Sequence, residues 1–178
     1  MKKILFIKLL FGILLHNSFL LAQNTGSFDI NISFNGEGRM ISFFVPNDYN
    51  STNSYKLLIG LHGLGDNSIN YRNSLINYLS WGLIFPNTIL AFPDGGNDPA
   101  RDFYTPENDE QLIIETINYC KQNYNIDESN IILQGFSLGG RSALKFGLDN
   151  PDIFKGCLLY TSDAADDLLC VDLGGRRI

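Results

Sequence analysis

From Phe28 to Phe34 the chain alternates strictly: Phe28, Ile30, Ile32 and Phe34 are apolar, with Asp29, Asn31 and Ser33 between them. A period of two is that of a strand with one buried face. Asn35-Gly36-Glu37-Gly38 has turn chemistry and Arg39 to Val45 supplies a second strand, so the two are expected to form a hairpin. Lys56 to Leu61, Thr88 to Phe92 and Asn130 to Gln134 are short apolar runs, as expected of strands buried on both faces. Helical spacing separates them. Ile69, Leu75, Ile76 and Leu79 mark a helix over Ser68 to Trp81, with Ser68 as its N-cap. Leu112, Ile113, Thr116, Ile117 and Cys120 form the stripe of a helix lasting to about Tyr124. Ser137 to Leu148 is a third helix, stopped at Asp149-Asn150-Pro151. Phe154 to Tyr160 begins a further strand. Two antiparallel strands followed by alternating strands and helices predict an α/β fold: a mostly parallel sheet with helices on both faces.

The two ends depart from this pattern. Lys2 and Lys3 precede an apolar run from Ile4 to Leu15, and Ala22 offers a small residue before Gln23. Residues 1–22 are therefore expected to be a secretory signal, which places the mature protein outside the cell or in the periplasm. No later segment is long and apolar enough to span a membrane as a helix. Residues 161–178, TSDAADDLLCVDLGGRRI, have no clear periodicity and look like translated sequencing-adapter read-through. They are expected to be a non-native tail on a partial domain of residues 23–160. That domain would be incomplete on its C-terminal side and would leave the strand ending at Tyr160 as an exposed apolar sheet edge.

Composition narrows the function classes. The 178 residues are 44% hydrophobic and 18% charged, with a formal net charge of −6. Residues 23–160 keep eight basic and 15 acidic side chains, still −7. An acidic balance excludes a general nucleic-acid binder, which needs cations against phosphate. Cys120, Cys157 and Cys170 are too few and too irregular for a disulfide framework. Cys120 and Cys157 fall in core patterns and are expected to be buried apolar residues. No Cys/His cluster has metal-ligand spacing, so neither metal nor cofactor is expected.

The chemistry lies in two glycine-rich turns. Gly135-Phe136-Ser137-Leu138-Gly139 fits G-x-S-x-G and stands between an apolar strand and a helix. There a serine can sit on a sharp, strained turn with the helix N-terminus behind it, which favours developing negative charge. His62-Gly63-Leu64-Gly65-Asp66 follows the strand Lys56 to Leu61. A loop in that place supplies the second backbone N–H of an oxyanion hole. Ser137 is thus the candidate nucleophile, and the amides of Leu64 and Leu138 are the candidate oxyanion donors. Asp94, Arg101, Asp102, Phe103 and Tyr104, in the loop from Pro93 to Pro106, follow the C-terminal end of a strand. They are either pocket-lining residues or a solvated surface loop.

With LIGLHGLGD, ILAFPDGG and IILQGFSLGG, the segment from Lys56 to Tyr160 resembles α/β-hydrolase esterases. The nearest groups are secreted esterases of the polyhydroxybutyrate-depolymerase and feruloyl-esterase type, and the phospholipase/carboxylesterase group. The resemblance implies the α/β-hydrolase fold, a Ser–His–acid triad, and small-molecule or polymeric carboxylic esters as substrates. The departure lies after Ser137. Acid and base should follow the serine in chain order. Yet the two histidines are His16, within the signal, and His62, within the oxyanion loop. His62 is expected to shape that loop rather than to act as base, and Asp163 is not assigned as the acid. The chain as written should therefore turn over esters poorly. A non-catalytic binding module and a serine peptidase of the same fold are the alternatives.

Overall fold

The computed structural model describes residues 23–95, 109–160 and 169–172, the last as backbone only. The segment expected to be a signal (1–22), the loop residues Arg101, Asp102, Phe103 and Tyr104, and the rest of residues 161–178 with Asp163 lie outside the described residues.

Among the described residues seven strands make one sheet: β1 (Gly26–Phe34), β2 (Glu37–Val45), β3 (Tyr55–Leu61), β4 (Thr88–Pro93), β5 (Ile126–Phe136), β6 (Gly156–Tyr160) and β7 (Leu169–Asp172). Their order is β1-β2-β4-β3-β5-β6-β7. The neighbours β4, β3, β5 and β6 run parallel, β1 and β2 are antiparallel, and β2 is antiparallel to β4. The expected mixed sheet is present, with the expected hairpin at one side.

Each strand's burial follows its residue pattern. Along β1 the residues from Ser27 to Ser33 alternate exposed and partly buried, so this edge strand has one wet face. In β3 every residue but Lys56 is buried, and all of β4 is buried. Helices α3 (Asp109–Asn123) and α4 (Leu138–Asp149) cover one face, where Ile113, Ile117, Cys120, Ala143 and Phe146 meet Leu57, Ile59, Ile89 and Leu133. Cys120 and Cys157 are core residues, as expected; burial pushes the Cys120 thiol well up, and Cys157 Sγ donates to Ala143 O at 3.2 Å. Tyr71, Leu75 and Trp81 build a smaller core on Leu58, Leu90 and Phe92. Helices thus lie on both faces.

Three expectations need correction. The helix from Ser68 to Trp81 is broken into α1 (Ser68–Asn73), a π-helical turn (Ser74–Tyr78) and α2 (Trp81–Ile84). Ser80, between the last two, has φ 54°. Leu75 and Trp81 are buried while Tyr78 and Leu79 are exposed, so one amphipathic stripe does not run through the segment. The N-cap of α1 is Asn67, whose Oδ1 accepts from the Asn70 amide at 2.9 Å, and not Ser68. Ser68 is fully buried, its hydroxyl 3.2 Å from that of Ser42. Finally, β6 is not a sheet edge. Leu169–Asp172 pairs antiparallel with Gly156–Leu159, so backbone from the tail satisfies the β6 groups expected to be open.

Candidate active site

The parallel strands set the site's position. Ile59 of β3 pairs with Ala91 of β4, and Leu61 pairs with Gly135 of β5. The chain therefore leaves β3, β4 and β5 at one edge of the sheet, where the two glycine-rich turns meet.

Ser137 sits between β5 and α4 with φ 53° and ψ −117°. Few residues with a Cβ adopt positive φ, at a cost of about 1–3 kcal/mol. The surroundings hold it there. The Ser137 amide donates to Tyr160 O at 2.8 Å, tying the turn to β6. The flanking glycines permit approaches that no side chain could share. A Cβ on Gly135 would lie 2.2 Å from Gly139 O, and one on Gly139 would lie 2.2 Å from Leu61 O and 2.5 Å from His62 O. Chain direction reverses in a space where main chain touches main chain. Leu138 opens α4, so its N–H belongs to the first turn, which has no acceptor inside the helix.

The second turn packs on the first. A Cβ on Gly63 would meet Ser137 Cβ at 3.5 Å and Phe136 Cδ1 at 3.1 Å. Leu64 follows, its side chain 60% exposed. The structure thus brings all three candidate residues to one place: Ser137 and Leu138 on the elbow, Leu64 next to the glycine that touches it.

His62 is buried, with 1% of its side chain accessible. Its Nδ1 lies 3.0 Å from Gly63 O, and Gly95 N donates to its Nε2 at 3.1 Å. A carbonyl on one side and an amide donor on the other engage both ring nitrogens. Nε2 is also 3.2 Å from Asp94 Oδ1. Ser68 N donates to the same carboxylate oxygen at 3.1 Å. Asp94 is further fixed through its main chain: its N donates to Met40 O at 2.8 Å, and its carbonyl accepts from Arg39 Nε and Nη2 at 3.2 and 2.9 Å. His62 thus ties its own turn to Gly95 of the loop after β4.

Sequence reasoning missed the rest of this clamp. Asp94 appeared only as a pocket-lining candidate; it instead joins β2, the His62 turn and α1. Arg39 and Ser42 carried no local signal, and Ser68 carried one only for an N-cap. Beneath the elbow, Tyr71 and Gln134 form another unforeseen pair, with Gln134 Nε2 donating to Tyr71 Oη at 2.7 Å. Burial raises the Tyr71 phenol well above its ordinary range, which the Gln134 bond opposes. Among the described residues, no group of three or more His, Cys, Asp or Glu could hold a metal ion, and no helix is long and apolar enough to cross a membrane.

Comparison with known proteins bears on this geometry. Residues 33–163 match the model of the family described as Esterase. The chain belongs to that family. It is 31% identical over 107 residues to a bifunctional acetylxylan esterase/xylanase of Neocallimastix patriciarum, covering 59% of this chain and 15% of the relative. It is 26% identical over 114 residues to feruloyl esterase B of Neurospora crassa, covering 61% and 39%. A ferulic acid esterase structure from Anaeromyces mucronatus, solved with ferulic acid, superposes with a TM-score of 0.57 at 23% identity, covering 75% of this chain and 56% of that one. At that identity the likeness shows the fold, which is the α/β-hydrolase fold, as the sequence resemblance implied. This family member spans well under half the length of either curated relative.

Proposed function

We propose that this chain carries the nucleophile half of a secreted carboxylic-ester hydrolase. Ser137 Oγ attacks the acyl carbon, and the amides of Leu64 and Leu138 receive the oxyanion. The tetrahedral adduct then expels the alcohol and leaves an acyl-enzyme, which water cleaves. One observation carries the reading: Ser137, strained at φ 53°, faces Gly63 of the second turn across a gap that a single Cβ would close. Two preorganised N–H donors at such a turn supply about 3–4 kcal/mol each toward the transition state. The relatives' names favour acetyl or feruloyl esters on plant-wall polysaccharide as substrates.

His62 is engaged on both ring nitrogens and takes no part in proton transfer. The serine proton then needs a base that the described residues do not provide, so the 178-residue chain should be nearly inactive. Imidazole tests this. With 4-nitrophenyl acetate, added imidazole should raise the hydrolysis rate of the chain by about tenfold over the same chain carrying Ser137→Ala, since general-base assistance is worth about 10²–10⁴ when positioned and less when diffusing. Equal rates in the two proteins at every imidazole concentration would remove Ser137 from the mechanism.

A further inference from the structure

A second concave surface lies away from the serine, and its lining has its own chemistry. A cleft of about 410 Å³ opens between the end of β1 and α3. Gln111, Glu115, Asn118 and Gln122 form its α3 wall, and Phe34 and Tyr119 supply rings. Tyr119 is fixed by packing on Phe43, ring centroids 5.4 Å apart. Gln111 Nε2 donates to Glu115 Oε1 at 2.8 Å, which orients the wall. Elsewhere the helices present ion pairs: Lys145 with Asp149 on α4, and Lys121 with Glu128 at 2.8 Å near the end of α3. The cleft wall presents amides instead. Among the described residues no Lys or Arg lines it. The nearby Arg39 is 9% exposed; its guanidinium donates to the Asp94 carbonyl and lies over the buried Phe34 ring, 6.0 Å from its centroid.

Amides that both donate and accept match vicinal hydroxyl groups, and the half-buried Tyr119 ring offers an edge of apolar surface to a sugar. A wall whose described residues carry one carboxylate and no cation disfavours uronates and phosphates. The volume falls within the range of ordinary small-ligand sites.

Register places the cleft relative to Ser137. Ile41 of β2 pairs with Pro93, the last residue of β4, so the β1–β2 turn projects beyond the same sheet edge that carries the serine. Four strand spacings separate β1 from β5 in the sheet order. At about 4.8 Å each, that is roughly 19 Å. A polymer whose ester lies at Ser137 could run along the sheet edge to the cleft.

We propose that this cleft binds a neutral oligosaccharide, as a remote subsite for the glycan that carries the ester. The proposal rests on the polysaccharide-ester reading above, yet its test needs no turnover. The 178-residue chain is run through native gels containing soluble arabinoxylan and titrated calorimetrically with xylohexaose. Retardation in the gel is expected. Asn118→Ala/Gln122→Ala should weaken xylohexaose binding at least tenfold, as should the isosteric Asn118→Asp. Both keep helix-compatible residues on the surface of α3, and an unchanged melting temperature confirms the fold. Polygalacturonate should not retard the chain. Binding that changes less than threefold in both variants, no binding of the wild-type chain at millimolar xylohexaose, or equal retardation by polygalacturonate overturns the subsite. Any of these leaves the imidazole result untouched, and failure of that result leaves the cleft measurement standing.

Discussion

The two turns that meet at Ser137 are built by opposite means. The elbow is held by exclusion: Gly135, Gly139 and Gly140 let main chain approach main chain, and a Cβ on Gly140 would already stand 3.1 Å from Gly135 O. The loop after β3 is held by attraction, through His62, Asp94, Ser68 and Arg39. Steric holding is short in sequence, because the glycines lie within a few residues of the serine. Polar holding is long-range, because its partners come from β2, the residues just after β4, and α1. The elbow should therefore fail abruptly when a methyl group is added and be indifferent to salt. The loop should fail by degrees, according to how many hydrogen bonds a substitution keeps.

The largest expected effect is at Gly139. Gly139→Ala places a methyl group 2.2 Å from the Leu61 carbonyl oxygen, where only backbone can give way. Overpacking of this kind costs about 3 kcal/mol or more. Thermal unfolding should show a fall of roughly 6–12 °C for a chain of this size, unchanged by added salt. A fall of under 2 °C would show that β3 and α4 are not in main-chain contact.

That contrast also explains what could be read from sequence. The elbow was legible because its cause is local: a G-x-S-x-G between an apolar run and a helical stripe states both the turn and the reason for its glycines. The sheet was legible for the same reason, since alternation in β1 and unbroken apolar runs in β3 and β4 reflect the faces that each strand buries. The helix expected over Ser68 to Trp81 was misread because spacing alone joined Leu75 to Leu79; the left-handed Ser80 then turns the chain so that Trp81 is buried in a separate helix. Ser68 as N-cap was the natural reading of a hydroxyl before a stripe; Asn67 has the better-placed oxygen, and Ser68 is drawn inward by Ser42 and Asp94. The pairing of Leu169–Asp172 with β6 had no periodic signal, four residues being too few to display one. The Asp94 clamp is invisible locally, because its partners stand 26 to 55 positions away.

Asp94 gives the intermediate effect. Asp94→Ala removes the acceptor for the Ser68 amide and leaves that donor without its partner, costing about 1–3 kcal/mol. Asp94→Asn keeps an oxygen for Ser68 N and should lose less than half as much. Chemical denaturation of the two variants measures the difference. Equal losses would mean that the carboxylate's charge, and not its hydrogen bond to α1, does the holding.

The smallest effect separates strain from chemistry at Ser137 itself. The residue holds φ 53° and ψ −117°, where glycine is at ease and any Cβ is not. Ser137→Ala removes the hydroxyl and retains the strain; Ser137→Gly removes both. Glycine's greater freedom in the unfolded chain works against it by about 0.4–1 kcal/mol. Relief of a positive φ is worth about 1–3 kcal/mol, so the net should favour glycine by about 1 kcal/mol. In a chain of this size that is about 2–4 °C in Tm, with glycine above alanine. Both variants lack the hydroxyl and should be equally silent in the imidazole assay, so the stability gap reads only the backbone. An alanine variant as stable as the glycine variant would mean that the elbow relaxes once the hydroxyl is gone, and that the serine side chain, not the glycine-lined cage around it, sets the turn.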